Sequence, residues 1–380
     1  MLRMQPFPLR GRLLWQAFGL PVLLLNLPTL QAAELAGDID VGGAVRLQYS
    51  YLGYDDENRS RGGDFDLDTI RLNFDGTVND LLLSAEVRYY QYMQVIHHGW
   101  IGYEFTDSLR GEAGITKVPF GNLPFNSHSY FFSSNFYLGL EDDYDAGLKL
   151  SWLSAPWDLR LAFFKNDELG GVDGFVDDRT ERYSYDVIGD PLAGDLGETN
   201  SLAGRAAYTF GAGGRAATEI GLSALGGKLH DGDSSNGDYL AIAAHLNGNY
   251  GPWNLQLQVT HYEYDVDSGA DQLTVGAYAY ADTIPARALS YTANIAYLLP
   301  VSLGPISEFT FYLDNNLVTD KSDDTADTTM IVAGVSMLAG PLFTYLDFVW
   351  GKNQPFVGGS MSGDADNWER RINLHIGYYF

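Results

Sequence analysis

The sequence predicts an all-β fold: a transmembrane antiparallel β-barrel of about 16 strands, with short turns at one end and long loops at the other. Three observations predict it. Segments of about ten residues alternate between apolar and polar side chains, the period of a strand with one wet face. Tight Gly/Pro connections alternate with long polar loops, an asymmetry typical of membrane barrels and not enforced by soluble sandwiches. Aromatic residues gather at strand ends beside the tight turns, at Trp152, Trp157, Tyr250, Trp253, Tyr297, Phe343 and Tyr378, as interfacial girdles would.

Composition removes the rival classes. Of 380 residues, 46% are hydrophobic and 14% aromatic, too many for a disordered chain. Mean hydropathy is −0.13, and beyond the first 30 residues no apolar run reaches the roughly 18 residues a spanning helix needs. Gly 43, Tyr 25 and Phe 20 favour strands joined by many turns. A net charge of −26 argues against a nucleic-acid partner, which needs clustered Lys and Arg. The absence of cysteine removes disulfides, thiolate metal sites and cysteine nucleophiles.

At the N-terminus, Arg3, Arg10 and Arg12 precede an apolar run from Leu13 to Leu30, followed by Ala32 and Ala33. This layout predicts a secretory signal over residues 1–33, cut after Ala32 or Ala33, and a barrel domain over 34–380. Gln16, Gly19, Pro21, Asn26 and Pro28 interrupt the run and disfavour a membrane anchor. Removing the three arginines leaves 20 basic against 49 acidic residues, a mature charge of −29.

The first strand, 39–52, sets Val45, Leu47, Tyr49 and Tyr51 against Arg46, Gln48 and Ser50. Strands follow at 64–78, 81–93, 96–106, 109–117 and 144–153. After the turn at Ala155-Pro156, the strand 157–166 alternates Trp157, Leu159, Leu161 and Phe163 with Asp158, Arg160 and Ala162. Strands at 200–211, 215–227 and 237–250 lead to the Gly251-Pro252 turn and a strand at 253–265. The rest are 287–298, 306–316, 328–338, 342–351 and 367–380, with turns at Gly304-Pro305 and Gly340-Pro341. Residues 272–281 also alternate, but counting them leaves an odd number, so they are assigned to an ordered external excursion. Sixteen strands enclose an aqueous lumen. The last strand ends on Phe380, which resembles the sorting signal of Gram-negative outer-membrane proteins.

The segment Gly114-Ile115-Thr116-Lys117-Val118-Pro119-Phe120-Gly121 resembles the strand-to-loop motif of the phosphate-selective (O/P-type) porin family of Gram-negative outer membranes. Asp282-Thr283-Ile284-Pro285-Ala286 and the run from Phe65 to Gly76 are similar to that family too, as is the layout of nearly the whole mature chain. The resemblance implies a trimeric 16-stranded porin whose third external loop, here about 118–143, folds into the lumen. One departure stands out: phosphate selectivity in that family relies on basic residues at the constriction, whereas Val118 to Asp143 contains no Lys or Arg.

By parity Arg46, Arg71, Arg88, Arg110, Lys149, Arg160, Arg205 and Arg371 point inward, with Asp75, Glu86, Glu112, Asp145, Asp158, Glu219 and Asp347. Two readings stand side by side: a basic wall facing an acidic loop 3 across the pore, or cross-strand ion pairs that stiffen the wall. The candidate constriction residues are Arg71, Arg88, Arg110, Lys117, Arg160, Tyr130, Glu141, Asp142 and Asp143. The other loop 3 aromatics, Phe120, Phe125, Phe131, Phe132, Phe136 and Tyr137, could guide sugars or aromatic acids through the lumen, but are read mainly as packing against the wall. Loop 4, about 167–199, holds ten acidic residues with only Arg179 and Arg182; it could bind divalent cations bridging lipopolysaccharide, but such a run is more often a solvated loop, and is read so here. Asp231-Gly232-Asp233 is read as a turn. Adjacent His97 and His98 should point to opposite faces and share no metal.

The expected function is an outer-membrane porin: a water-filled channel for passive diffusion of small hydrophilic solutes or ions, with no cofactor and no metal. Expected partners are outer-membrane lipid, lipopolysaccharide and two further copies in a homotrimer. Balanced inward charges and an acidic mouth predict weak cation preference or near neutrality. The rival readings are a structural or adhesive barrel plugged by its own loops, and an outer-membrane lipid hydrolase. For the last, His261 has outward parity, but no G-x-S-x-G or H-E-x-x-H motif is present.

Overall fold

The computed structural model describes residues 38–380; the signal expected over 1–33 lies outside the described residues. In chain order the strands are β1 (Asp38–Leu52), β2 (Asp64–Val78), β3 (Leu81–Tyr90), β4 (Gln94–Thr106), β5 (Leu109–Lys117), β6 (Tyr144–Ser154) and β7 (Trp157–Asp167). Then come β8 (Asp186–Asp190), β9 (Gly194–Asp195), β10 (Gly197–Phe210), β11 (Ala216–His230), β12 (Ser235–Tyr250) and β13 (Trp253–Asp265). The last are β14 (Gln272–Ala277), β15 (Tyr280–Pro285), β16 (Arg287–Leu303), β17 (Ile306–Thr319), β18 (Thr328–Ala339), β19 (Leu342–Lys352) and β20 (Glu369–Tyr379).

Sixteen of them close an antiparallel barrel, in which β1 pairs with both β2 and β20. All sixteen lie where the alternation puts them, and β2, β5 and β13 match residue for residue. The excursion at 272–281 stays out of the barrel: β14 and β15 join β8 and β9 in a separate four-stranded sheet, in the order β15-β14-β8-β9. Closure satisfies the main-chain donors and acceptors of every barrel strand, the condition for crossing hydrocarbon. At the seam the amide of Gly43 donates to the Phe380 carbonyl at 2.9 Å, and the Phe380 amide donates back at 3.1 Å.

The two faces separate by polarity. Outward-facing Leu148, Leu150, Leu161, Phe163, Leu202 and Leu222 are exposed, whereas inward-facing Lys149, Arg205, His245, Asp347 and Asn373 are buried. That is a lipid-facing outside around a polar interior. Trp152, Trp157, Tyr250, Trp253 and Tyr378 are exposed near the short turns, and Trp253 packs on Tyr297 with centroids 4.7 Å apart. Phe343 corrects the girdle reading: it borders the interior cavity, because it shares inward parity with Tyr345 and Asp347.

Apolar packing concentrates at the long-loop end. Leu138, Leu140, Tyr185, Val187, Leu196, Leu273, Val275 and Ile284 are buried together. Loop 3 supplies the first two and the loop sheet with its flanking residues the others, so the small sheet packs onto loop 3. Loop 4 is therefore not the solvated run expected from its acidity. Asp167, Arg182, Asp186 and Asp190 are buried in it, Arg182 completely.

Candidate pore constriction

Loop 3 leaves β5 through the motif that carried the family resemblance. Gly114 has φ +134°, and a Cβ there would collide with the Gly99 carbonyl of β4. Gly121 has φ +63°, and a Cβ there would meet the Gln258 amide of β13. Gly114 needs glycine because β5 presses on β4 there, and Gly121 because the loop hugs the wall.

From Gly121 the loop is fastened to one side of the barrel. The Gly121 amide donates to Ser223 Oγ at 3.1 Å, and Arg205 Nε donates to the Gly121 carbonyl at 2.9 Å. The Asn122 amide donates to Gln258 Oε1 at 2.8 Å, and Asn294 Nδ2 to the Asn126 carbonyl at 2.7 Å. Asp314 of β17 accepts from the amides of His128 and Ser129 at 2.8 and 2.9 Å, and lies 2.8 Å from His128 Nδ1. Burial alone would lower the His128 pKa, but the hydrogen bond and charge of Asp314 outweigh it and raise the pKa. Further along, the Ser134 amide donates to Asn316 at 3.1 Å. These partners belong to β10, β11, β13, β16 and β17.

Few loop residues reach the opposite side: the Tyr130 ring stacks on His375 of β20 at 3.8 Å and its hydroxyl lies 3.4 Å from Asp68 of β2. Between the free face of loop 3 and the wall of β1 to β4, β19 and β20 lies a cavity of about 710 Å³. Loop 3 contributes Phe125, Tyr130, Phe131 and Phe132; the wall contributes Arg46, Arg71, Arg88 and Arg371. Four acids, Asp66, Asp68, Glu86 and Asp142, line the same cavity, so its charge is close to balanced.

Most of these cations are held. Arg46 pairs with Asp68 at 2.7 Å, Arg88 with Glu86 at 2.6 Å and Arg71 with Glu86 at 3.4 Å. Arg71 and Arg88 are direct cross-strand partners, a like-charge arrangement that the shared Glu86 relieves. Arg371 has no carboxylate partner among the described residues; it donates to Asn373 at 3.0 Å and to the Phe356 carbonyl at 3.3 Å. The guanidinium groups also lie against aromatic faces: Arg46 on Tyr130, Arg88 on Tyr183 and Arg371 on Phe131, at 5.6, 4.3 and 5.1 Å.

Of the nine residues singled out in sequence, Arg71, Arg88, Tyr130 and Asp142 meet at this cavity. Lys117 stands beside it, paired with Asp142 and 4.8 Å from the Phe125 ring. The other four lie elsewhere. Arg110 pairs with Glu104 at 2.7 Å near the short turns, and Arg160 pairs with Asp158 at 2.8 Å on its own strand. Glu141 turns into its own loop, accepting from the Asn126 amide at 2.8 Å and from the Ser133 amide at 3.0 Å and hydroxyl. Burial pushes its carboxyl up to about 7 against those hydrogen bonds. Asp143 is also buried, and burial together with Asp186, Glu168 and Glu198 pushes its carboxyl well above the usual range. The acidic triplet therefore presents Asp142 alone to the cavity.

Two β-bulges explain what parity missed. The β1–β2 register shifts between Arg46 and Leu47, where Asp68 is the extra residue on β2, and Asp66 and Asp68 both reach the cavity. The β3–β4 register shifts between Glu86 and Val87, where His97 is the extra residue on β4. His97 and His98 then share the interior face, with their Nδ1 atoms 2.8 Å apart, which corrects the expectation of opposite faces. A one-residue slip moves every following side chain across the wall, and no residue type announces it. Asp231 forms a turn, accepting from the amides of Asp233 and Ser234 at 2.9 and 2.6 Å.

No family model matches the chain, and no curated protein matches it. Solved structures do. The anion-selective porin of Comamonas acidovorans superimposes with a TM-score of 0.58 at 14% identity, over 90% of this chain and 100% of that one. OmpF of Salmonella typhi, in complex with daunomycin, gives 0.59 at 10% identity, over 91% and 99%. OmpT of Vibrio cholerae, in a trimer form, gives 0.55 at 15%, over 90% and 99%. The likeness shows a porin fold.

Proposed function

We propose that this chain is an outer-membrane porin, a water-filled channel for passive diffusion of small hydrophilic solutes. The observation that carries the reading is the arrangement inside the barrel: loop 3 takes its main-chain anchors from one wall, meets the other chiefly through Tyr130 and Phe131, and leaves a polar cavity beside them. The solved porins of similar fold support the same reading, and a signal over 1–33 would deliver the chain to a Gram-negative outer membrane. The trimer form of the Vibrio cholerae protein supports a homotrimer.

Phosphate is not favoured as the solute. Four cavity arginines face four cavity acids, and three of the arginines are already paired. The constriction is near neutral, so selection rests on width and on aromatic faces more than on net charge. Purified protein in a planar bilayer would show stepwise conductance and a reversal potential near zero in a salt gradient. A barrel that inserts without conducting would sink the porin reading in favour of a plugged structural barrel.

A further inference from the structure

We propose that the junction of β6, loop 4 and β8 is a binding site for a divalent cation of calcium's size and chemistry, built from Asp145, Glu168 and Asp186.

One carboxylate oxygen from each of the three lies within 4.8 Å of the others. Two Ca–O bonds of about 2.3–2.6 Å laid end to end span such a separation, and calcium takes hard oxygen donors of this kind. Glu168 and Asp186 are already held: both accept from Arg182, Asp186 at 2.8 Å. Asp167 is held more fully, by Arg179 at 2.9 Å, Arg182 at 3.2 Å and the Gly171 amide at 2.8 Å.

Asp145 is the exception. Its residue is 4% exposed, its carboxylate points into the group, and it makes no hydrogen bond or ion pair among the described residues. It also stands directly opposite Asp167 in the β6–β7 register, where like charges repel. A buried charge without a partner is unfavourable, so a cation is favoured here. The surroundings agree: Asp145, Asp167, Glu168 and Asp186, with buried Asp143 nearby, outnumber Arg179 and Arg182, so the junction favours a cation. Bound there, the ion would tie the end of loop 3, through β6, to loop 4 and the loop sheet.

The test uses full-length folded protein in detergent, stripped with EGTA and titrated with CaCl2. Binding is read by equilibrium dialysis, by the unfolding temperature, and by tyrosine-sensitised luminescence of Tb3+ that Ca2+ displaces. The wild type should bind one calcium ion more tightly than the rest and unfold at a higher temperature with it. Asp145→Asn should lose that ion and the calcium-dependent rise, while unfolding in EGTA no lower than the wild type, since a repelling charge has gone. A control, Asp173→Asn with Asp177→Asn in the exposed part of loop 4, should keep both effects. If Asp145→Asn does not fold, the wild-type stoichiometry and the Tb3+ displacement decide. No calcium-dependent change in the wild type, an unchanged effect in Asp145→Asn, or loss of the effect in the control would each overturn the site.

Discussion

At the residue scale, the proposed pore would be tuned by a few cavity charges that lack full partners. Arg371 is the clearest, since its donors meet only an amide oxygen and a carbonyl. Arg371→Gln should shift the reversal potential toward cations. Asp142→Asn, which releases Lys117, should shift it toward anions; both are read in a KCl gradient at low salt, where screening is weakest. Equal and unshifted potentials in the two variants would place the limiting section elsewhere. A second expectation concerns pH. His128 and Glu141, both in loop 3, have folded-state pKa values above their ordinary ones, Glu141 at about 7. Each holds more protons folded than unfolded, so its contribution to stability is complete below its unfolded pKa and is lost as pH rises through the folded one. Loop 3 should therefore be fastened best near pH 4 and loosen through about pH 7 and above. For Glu141 the effect is on the order of 3 kcal/mol. Hydrogen exchange of the amides of 126–134 against pH would show it, and Glu141→Gln should remove most of the slope between pH 5 and 8.

At the element scale, loop 3 behaves as a strap anchored on one flank. Asp314 accepts two loop amides and faces His128 while fully buried, so Asp314→Ala leaves those donors unmet at roughly 1–3 kcal/mol each. Its channel should show longer-lived substates and a larger spread of single-channel conductance, with the barrel intact by circular dichroism. Removing Phe125 to Asn135 should raise conductance outright; an unchanged value would mean the strap does not set the width. The strands themselves were legible in sequence because alternation is strict wherever one face meets lipid: Trp157 to Phe163 announces β7 without help. The cavity was only partly legible. Arg71, Arg88 and Tyr130 follow from parity and from the loop's place in the order of strands. Asp68, His97 and His98 do not, because each sits at or beside an extra residue in a ladder, and a bulge is set by pairing between strands rather than by the local pattern. The burial of Glu141 was likewise hidden, since it depends on how loop 3 folds back on Asn126 and Ser133.

At the scale of the whole molecule, the barrel depends on its seam. Gly43 exchanges two main-chain hydrogen bonds with Phe380, and a side chain there would strike the Arg71 carbonyl on one side and the Phe380 ring on the other. Gly43→Val should prevent β1 from closing on β20. The expected readout is loss of the protease-resistant folded form in detergent, at unchanged expression. An intact barrel would mean the seam tolerates displacement of the last residue. The one-sided attachment of loop 3 has a further consequence for what the lumen admits. A strap hung from one side of a round tube leaves a crescent beside it, long in one direction and thin in the other, edged by rings with guanidinium groups laid against them. Such a slot sorts by thickness before it sorts by mass: a flat solute passes edge-on where a compact one of equal volume is stopped. Among isomers of the same formula, the planar one should enter liposomes carrying this protein fastest.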